Sequence, residues 1–185
     1  MIIFDLDGTL ADCSHRQHFV MRPKGSKHIF TDSIPHGNGC ILKGDIFLED
    51  GKKWVPRWDK FYEACDMDIP INPTIDILQE LLFSDRELVI WSGRCESVRE
   101  KTNQWLHEQI YKYFEPEYWG HIPVRMRPIG DYTPDDELKE RWLDEELAQG
   151  AEIEFVFDDR PKVVKMWRKR SIFVFNCYQR DVELY

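Results

Sequence analysis

The sequence predicts an α/β fold: a doubly wound parallel sheet with a small inserted cap. Three observations lead there. Five short apolar runs lack the in–out alternation of a half-exposed strand, which suits strands covered on both faces. Segments of helical spacing fall between the runs, the alternation that builds parallel sheets. Three of the runs end in polar clusters, and in open α/β sheets ligands bind beyond the carboxyl ends of the strands.

The predicted strands are Met1–Phe4, Glu87–Trp91, Ile122–Met126, Ile153–Phe157 and Ile172–Phe175. Asn72 and Pro73 open the first core helix as N-cap and first helical residue, and Ile75, Leu78, Leu81 and Leu82 form its apolar stripe. A second helix covers Glu96–Ile110. Thr133 and Pro134 start a third, which runs through Leu138, Trp142 and Leu147 to Gly150. Pro161 starts a fourth, with Val163, Val164 and Trp167 on its apolar side. Residues 15–67 break this rhythm. They contain a Gly-, Pro- and His-rich stretch, a hairpin turning at Asp50-Gly51 between Ile46–Leu48 and Lys53–Val55, and a short amphipathic helix over Trp58–Cys65. The division expected is a core of residues 1–14 and 68–185 and an inserted cap of residues 15–67 that leaves beside the sheet's active edge as a lid.

Composition narrows the class. The chain has 185 residues, 42% hydrophobic and 14% aromatic, enough for a core and too many large side chains for a disordered chain. The net charge of −9 speaks against coating nucleic acid by charge alone and leaves room for handling a single strand end. No apolar run is long enough to span a membrane, and acids by position 5 do not suit a secretory signal. Five scattered cysteines without a Cys-x-x-Cys read as free thiols of a reducing, cytoplasmic setting, the host's cytoplasm if the chain is phage-encoded.

The chemistry concentrates at the strand ends. Asp5 and Asp7 stand two residues apart, directly past a buried strand, where carboxylates are costly unless used. One can attack phosphorus as a nucleophile while the other gives and takes a proton. Gly8 lets the chain turn sharply, and Thr9 brings a hydroxyl. Asp158 and Asp159, at another strand end, would gather a hard cation such as Mg²⁺ with Asp5. Ser92-Gly93-Arg94 ends a third strand, where a hydroxyl and the backbone N–H groups of the following helix start can hold phosphate oxygens. Lys139 follows Asp135 by four residues on one helix, a spacing at which an ion pair would steady the lysine.

Together these elements resemble the haloacid dehalogenase superfamily of phosphotransferases: Asp5-x-Asp7-Gly-Thr, then Ser92, then Lys139, then Asp158-Asp159, in family order. Within it the chain looks like the 3′-phosphatase domain of bacteriophage polynucleotide kinase, on Ser92-Gly93-Arg94, Asp135-Asp136-Glu137-Leu138-Lys139 and the run from Asp158 through Arg160 to Arg168. The resemblance implies a Rossmannoid core. It implies Asp5 as nucleophile and Asp7 as acid and base, Ser92 and Lys139 as stabilisers of the transferring phosphoryl group, and Mg²⁺ on Asp5, Asp158, Asp159 and a backbone carbonyl near Asp7. Substrate contacts are expected from Thr9, Arg16, Gly93, Arg94, Arg127, Asp135 and Arg160. No Gly-x4-Gly-Lys-Ser/Thr is present, so kinase activity is not expected.

The activity expected is Mg²⁺-dependent removal of a 3′-phosphate from DNA or RNA ends through an aspartyl-phosphate. The alternative within the same chemistry is a (deoxy)nucleoside monophosphate phosphatase, which the acidic surface and long insertion favour. A non-enzymatic binding module would leave four intact catalytic elements without a purpose. A cysteine phosphatase fails for want of Cys-x5-Arg. A zinc site drawn from Cys13, His15, His18, His28, His36 and Cys40 fits no compact ligand spacing. Trp54, Trp58, Phe61 and Tyr62 are expected to form the cap's own small core, with base stacking as the alternative.

Overall fold

The computed structural model describes residues 1–36, 39–84, 86–113 and 122–177, with backbone alone for residues 30–36, 39–43 and 113. Its strands are β1 (Ile2–Phe4), β2 (Ala11–Asp12), β3 (Lys27–His36), β4 (Gly39–Phe47), β5 (Lys53–Trp54), β6 (Ile69–Pro70), β7 (Leu88–Cys95), β8 (Val124–Arg127), β9 (Phe155–Asp158) and β10 (Val174–Asn176). Its α-helices are α1 (Trp58–Glu63), α2 (Asn72–Leu82), α3 (Arg99–Gln109), α4 (Asp135–Ala148) and α5 (Pro161–Lys169). The chain divides into two compact units, Met1–Cys13 with Cys65–Tyr185, and Ser14–Ala64.

The first unit is built on a sheet of order β10-β9-β1-β7-β8, parallel throughout. Ile2 pairs with Leu88 on one side and Phe155 on the other, so three apolar runs lie in register. Successive side chains point to opposite faces of a strand, and both faces are apolar. Ile2, Phe4, Leu88, Ile90 and Phe157 pack with Ile75 and Leu78 of α2 and Trp105 and Leu106 of α3. Ile3, Val89, Trp91 and Val156 pack with Leu138 and Trp142 of α4 and Val163 and Trp167 of α5. The sheet is therefore doubly wound and α/β, with a haloacid dehalogenase-like fold. Each such side chain contributes about 1.5–3 kcal/mol on burial, so the two layers fix the strand ends firmly. From β1 the chain continues to β7 on one side, while β9 flanks β1 on the other, which puts the topological switch point between β1 and β9.

Element boundaries move in instructive ways. The helix expected from Thr133 and Pro134 begins at Asp135, with Pro134 as its N-cap. The Thr133 N–H donates to Asp131 Oδ1 at 2.8 Å and its carbonyl accepts from Arg127, so Thr133 belongs to the preceding turn. The first turn of the helix expected at Glu96 is a 3₁₀ turn over Glu96–Val98, with α3 following. The Ser92-Gly93-Arg94 tripeptide lies inside the end of β7, where the register with β8 shifts between Ser92 and Cys95, and not at a helix start.

The second unit carries a three-stranded antiparallel sheet of order β3-β4-β5. The expected hairpin is its β4–β5 edge, pairing Ile46 with Trp54 across a turn whose Gly51 takes φ +79°, a left-handed conformation suited to glycine. The long β3–β4 pairing was not foreseen, because Pro35, Gly39 and Gly44 interrupt the strand pattern. In α1, Phe61 is buried with the Trp58 ring edge-on at 5.6 Å, so Phe61 serves the small core. Among the described residues no helix is long and apolar enough to cross a membrane. Cys13, Cys65, Cys95 and Cys177 are free thiols.

Candidate active site

The switch point gathers the acids. The Asp5 N–H donates to the Phe157 carbonyl at 2.9 Å, the last rung between β1 and β9, and fixes Asp5 beside the end of β9. One carboxylate oxygen each from Asp5, Asp158 and Asp159 lie within 4.8 Å of one another. Lys139, buried on α4, donates from Nζ to Asp5 Oδ1 at 2.6 Å and to Asp158 Oδ2 at 2.8 Å. Asp158 also accepts from Trp167 Nε1 at 3.3 Å and from the Arg160 backbone N–H at 3.1 Å. The lysine therefore pairs with two carboxylates from other strands and not with Asp135 as the helical spacing suggested; it points into the sheet while Asp135 turns to arginines.

Three carboxylates and one ammonium leave this cluster two negative charges in excess. The electrostatics register the deficit. Burial, with repulsion from Asp158 and Asp159, pushes the Asp5 carboxyl well above the usual range despite Lys139. Burial, then Asp158, does the same to Asp159. Burial works against the charge on Lys139, but the combined pull of Asp158 and Asp5 outweighs it and its pKa rises. Asp159 Oδ1 is buried with no hydrogen-bond donor among the described residues. Gly8, at φ +92°, lies so close that a Cβ there would fall 2.1 Å from Asp159 Oδ2. An all-oxygen donor set, a charge deficit of two and an orphaned carboxylate oxygen fit a hard divalent cation. The Asp7 side chain is not one of these three; its Oδ1 accepts from Arg94.

Asp7 instead faces Arg94. Nε and Nη2 of Arg94 both donate to Asp7 Oδ1, at 2.8 and 2.6 Å. Arg94, expected against substrate, is wholly buried and grips Asp7 and Asp68. Ser92 is buried too; its Oγ accepts the Arg94 backbone N–H at 3.2 Å through a lone pair, which leaves the hydroxyl hydrogen for an anion. Thr9 is buried with its Oγ1 unpartnered among the described residues.

Arg127, likewise expected on substrate, is a staple. Its Nε donates to the Gly93 carbonyl at 3.0 Å, its Nη1 to the Thr133 carbonyl at 2.6 Å and the Asp131 carbonyl at 3.3 Å, and its Nη2 to Asp135 Oδ1. Asp135 in turn pairs with Arg160 through Oδ2. Gly93 permits this packing, since a Cβ there would sit 2.8 Å from Asp135 Oδ1. The backbone of β7, the loop 128–134 and the start of α4 are thus locked together. Arg16 belongs to the other unit; it is buried with Nη1 on the Phe61 carbonyl at 3.0 Å and its guanidinium 4.1 Å from the Phe61 ring centroid.

The expected set therefore separates. Asp5, Asp158, Asp159 and Lys139 converge, Asp7 couples to Arg94, and Asp135 joins Arg127 to Arg160. The sequence reading missed Asp68, a buried acid with no motif around it. Among the described residues the metal-capable group is this aspartate cluster; the side chains of His36 and Cys40 from the zinc alternative lie outside the described residues.

Residues 55–182 match the family of the polynucleotide kinase PNKP phosphatase domain. A protein of Autographa californica nuclear polyhedrosis virus, whose name describes a bifunctional polynucleotide kinase/RNA ligase, is 29% identical over 157 residues, 82% of this chain and 21% of that protein. A chain of the Pnkp1/Rnl/Hen1 complex superposes with a TM-score of 0.61 at 24% identity, covering 95% of this chain and 44% of that one. A second structure, of the Pnkp1/Rnl/Hen1 RNA repair complex, gives 0.59 at 22% identity, covering 95% and 41%. The chain spans about a fifth of that viral relative and less than half of these solved chains.

Proposed function

The chain belongs to the polynucleotide kinase PNKP phosphatase domain family and is a phosphoric monoester hydrolase, and from that premise we propose that it removes 3′-phosphates from DNA or RNA ends through an aspartyl-phosphate, with Mg²⁺ as cofactor. The observation that carries this reading is the convergence of Lys139 on Asp5 and Asp158 beside the unpartnered oxygen of Asp159. Asp5, Asp158 and Asp159 would hold the cation, which when bound supplies charge for the phosphoryl oxygens and keeps the carboxylates ionised.

The remaining steps belong to the chain. An Asp5 oxygen attacks phosphorus in line, and the bond to the sugar oxygen breaks as Asp7 gives that oxygen a proton. Water then attacks the aspartyl-phosphate, returns a proton to Asp7, and the Asp5–phosphorus bond breaks to release phosphate. Lys139 and Ser92 stabilise charge on the transferring group, the dominant effect in such chemistry. Arg94 keeps Asp7 aimed.

A second reading, a (deoxy)nucleoside monophosphate phosphatase, gains from one observation. Arg94 and Arg127 donate to protein partners, so they no longer argue for extra anionic groups on the substrate. The polynucleotide reading rests on the family. Measuring kcat/KM for a 3′-phosphorylated oligonucleotide against 3′- and 5′-mononucleotides decides between them. A mononucleotide preference of about tenfold or more, roughly 1.4 kcal/mol in transition-state stabilisation, overturns the polynucleotide reading. The lid role of residues 15–67 remains part of the same proposal.

A further inference from the structure

Asp68 is the buried acid behind the Asp7–Arg94 pair. The side chains of Arg94 and Asp68 are both withdrawn from solvent, and Arg94 Nη2 donates to Asp68 Oδ2 at 2.5 Å. Trp105 Nε1 donates to the Asp68 carbonyl at 2.8 Å and fixes that backbone. Arg94 Nη1 reaches Thr102 Oγ1 at 3.4 Å. A buried ion pair costs so much desolvation that apolar side chains in its place are often as stable, so stability alone does not account for one. What this pair does is geometric. The guanidinium is planar, with Nε and one Nη2 hydrogen spent on Asp7 Oδ1, and the rotation of that plane about the Cδ–Nε bond is restrained by the acceptors along its other edge. Without the Asp68 carboxylate the buried Nη2 loses a charged acceptor, the restraint on the guanidinium plane weakens, and Asp7 moves with it.

We propose that Asp68 is a positioning residue that holds Arg94 in the one orientation that aims Asp7 at the leaving oxygen; this rests on the reading of Asp7 as the acid. The test compares kcat/KM for a 3′-phosphorylated oligonucleotide, whose sugar oxygen needs a proton, with nitrophenyl phosphate, whose leaving group does not. This ratio reports steps up to leaving-group departure and is blind to the later hydrolysis of the aspartyl-phosphate. Asp68→Ala is expected to lower the oligonucleotide value by about ten- to a hundredfold, part of the full contribution of a general acid, and to change the nitrophenyl value by less than about threefold. The double variant Asp7→Asn/Asp68→Ala should fall no further than Asp7→Asn alone. Equal losses on both esters in Asp7→Asn overturn the acid reading and this role with it. Discrimination in Asp7→Asn with equal losses, or none, in Asp68→Ala overturns the role of Asp68 alone. If Asp68→Ala does not fold, Arg94→Lys carries the test, since lysine keeps the charge but cannot span Asp7 and Asp68. The same discrimination is expected, and equal losses on both esters overturn the proposal.

Discussion

Lys139 Nζ stands 2.6 Å from Asp5 Oδ1, so a lysine from the middle of α4 meets the first acid past β1 across 134 residues of chain. The same amine holds Asp158, so one cation sets the spacing between the proposed nucleophile and a proposed metal ligand. Lys139→Met keeps the bulk and removes the charge. It is expected to lower kcat by at least about a hundredfold and to destabilise the fold by about 3 kcal/mol, because breaking a buried pair strands its partners. Steady-state kinetics and urea unfolding check the two halves separately.

Gly8 is the tightest point of the site, at φ +92° with the Asp159 carboxylate where a Cβ would go. Gly8→Ala should cost about 1–3 kcal/mol in strain and push Asp159 aside. The half-saturating Mg²⁺ concentration for activity should rise by about tenfold or more. An unchanged metal dependence in a folded variant would remove Asp159 from the ligand set.

Without metal the Asp5 carboxyl is pushed up to about 8 and that of Asp159 to about 7, against 3.8 for a free side chain. Acids raised in the folded state stabilise it fully below the unfolded value and lose that contribution as pH rises through the folded one. The metal-free protein should therefore grow less stable from about pH 4 toward pH 8. Mg²⁺, which binds the ionised acids, should raise the melting temperature more at pH 8 than at pH 6, and its apparent affinity should weaken on acidification. Thermal melts with chelator and with Mg²⁺ at the two pH values test both signs.

Arg127 had read from the sequence as a substrate contact, and a selective loss on oligonucleotides would follow from that. Its bonds to Gly93, Asp131, Thr133 and Asp135 change the expectation. Arg127→Ala should destabilise the protein by about 2–4 kcal/mol and slow nitrophenyl phosphate as much as oligonucleotide hydrolysis, since the whole loop 128–134 loses its anchor. Comparing the two kcat/KM losses, alongside a urea titration, distinguishes a staple from a substrate ligand.

The sequence exposed the sheet and its strand-end acids because both are local. A short apolar run closed by Asp5, Asp7 or Asp158 and Asp159 is written within a few residues. The partners of the charged side chains were not legible. Asp135 and Lys139 share a helix at ion-pair spacing, yet burial and topology send the lysine to Asp5 and Asp158 and the aspartate to Arg127 and Arg160. Arg94 and Arg127 look alike as phosphate ligands in sequence, and only the fold shows what each donates to. Asp68 has no motif, and its meaning lies wholly in the buried Arg94 beside it. The β3–β4 hairpin escaped for the opposite reason: its local signals, Pro35 and the glycines, argue against the strands that long-range pairing makes.

If Asp5 is the nucleophile, it carries the phosphoryl group as an acyl-phosphate during turnover. The direct measurement is to acid-quench the enzyme during turnover of a 3′-phosphorylated oligonucleotide, reduce the acyl-phosphate with borohydride, and sequence the N-terminal peptide by mass spectrometry. Residue 5 is expected to appear as homoserine in the working enzyme, with no such product and no turnover in Asp5→Asn. Full turnover with an unmodified Asp5, or trapping at another residue, would contradict it.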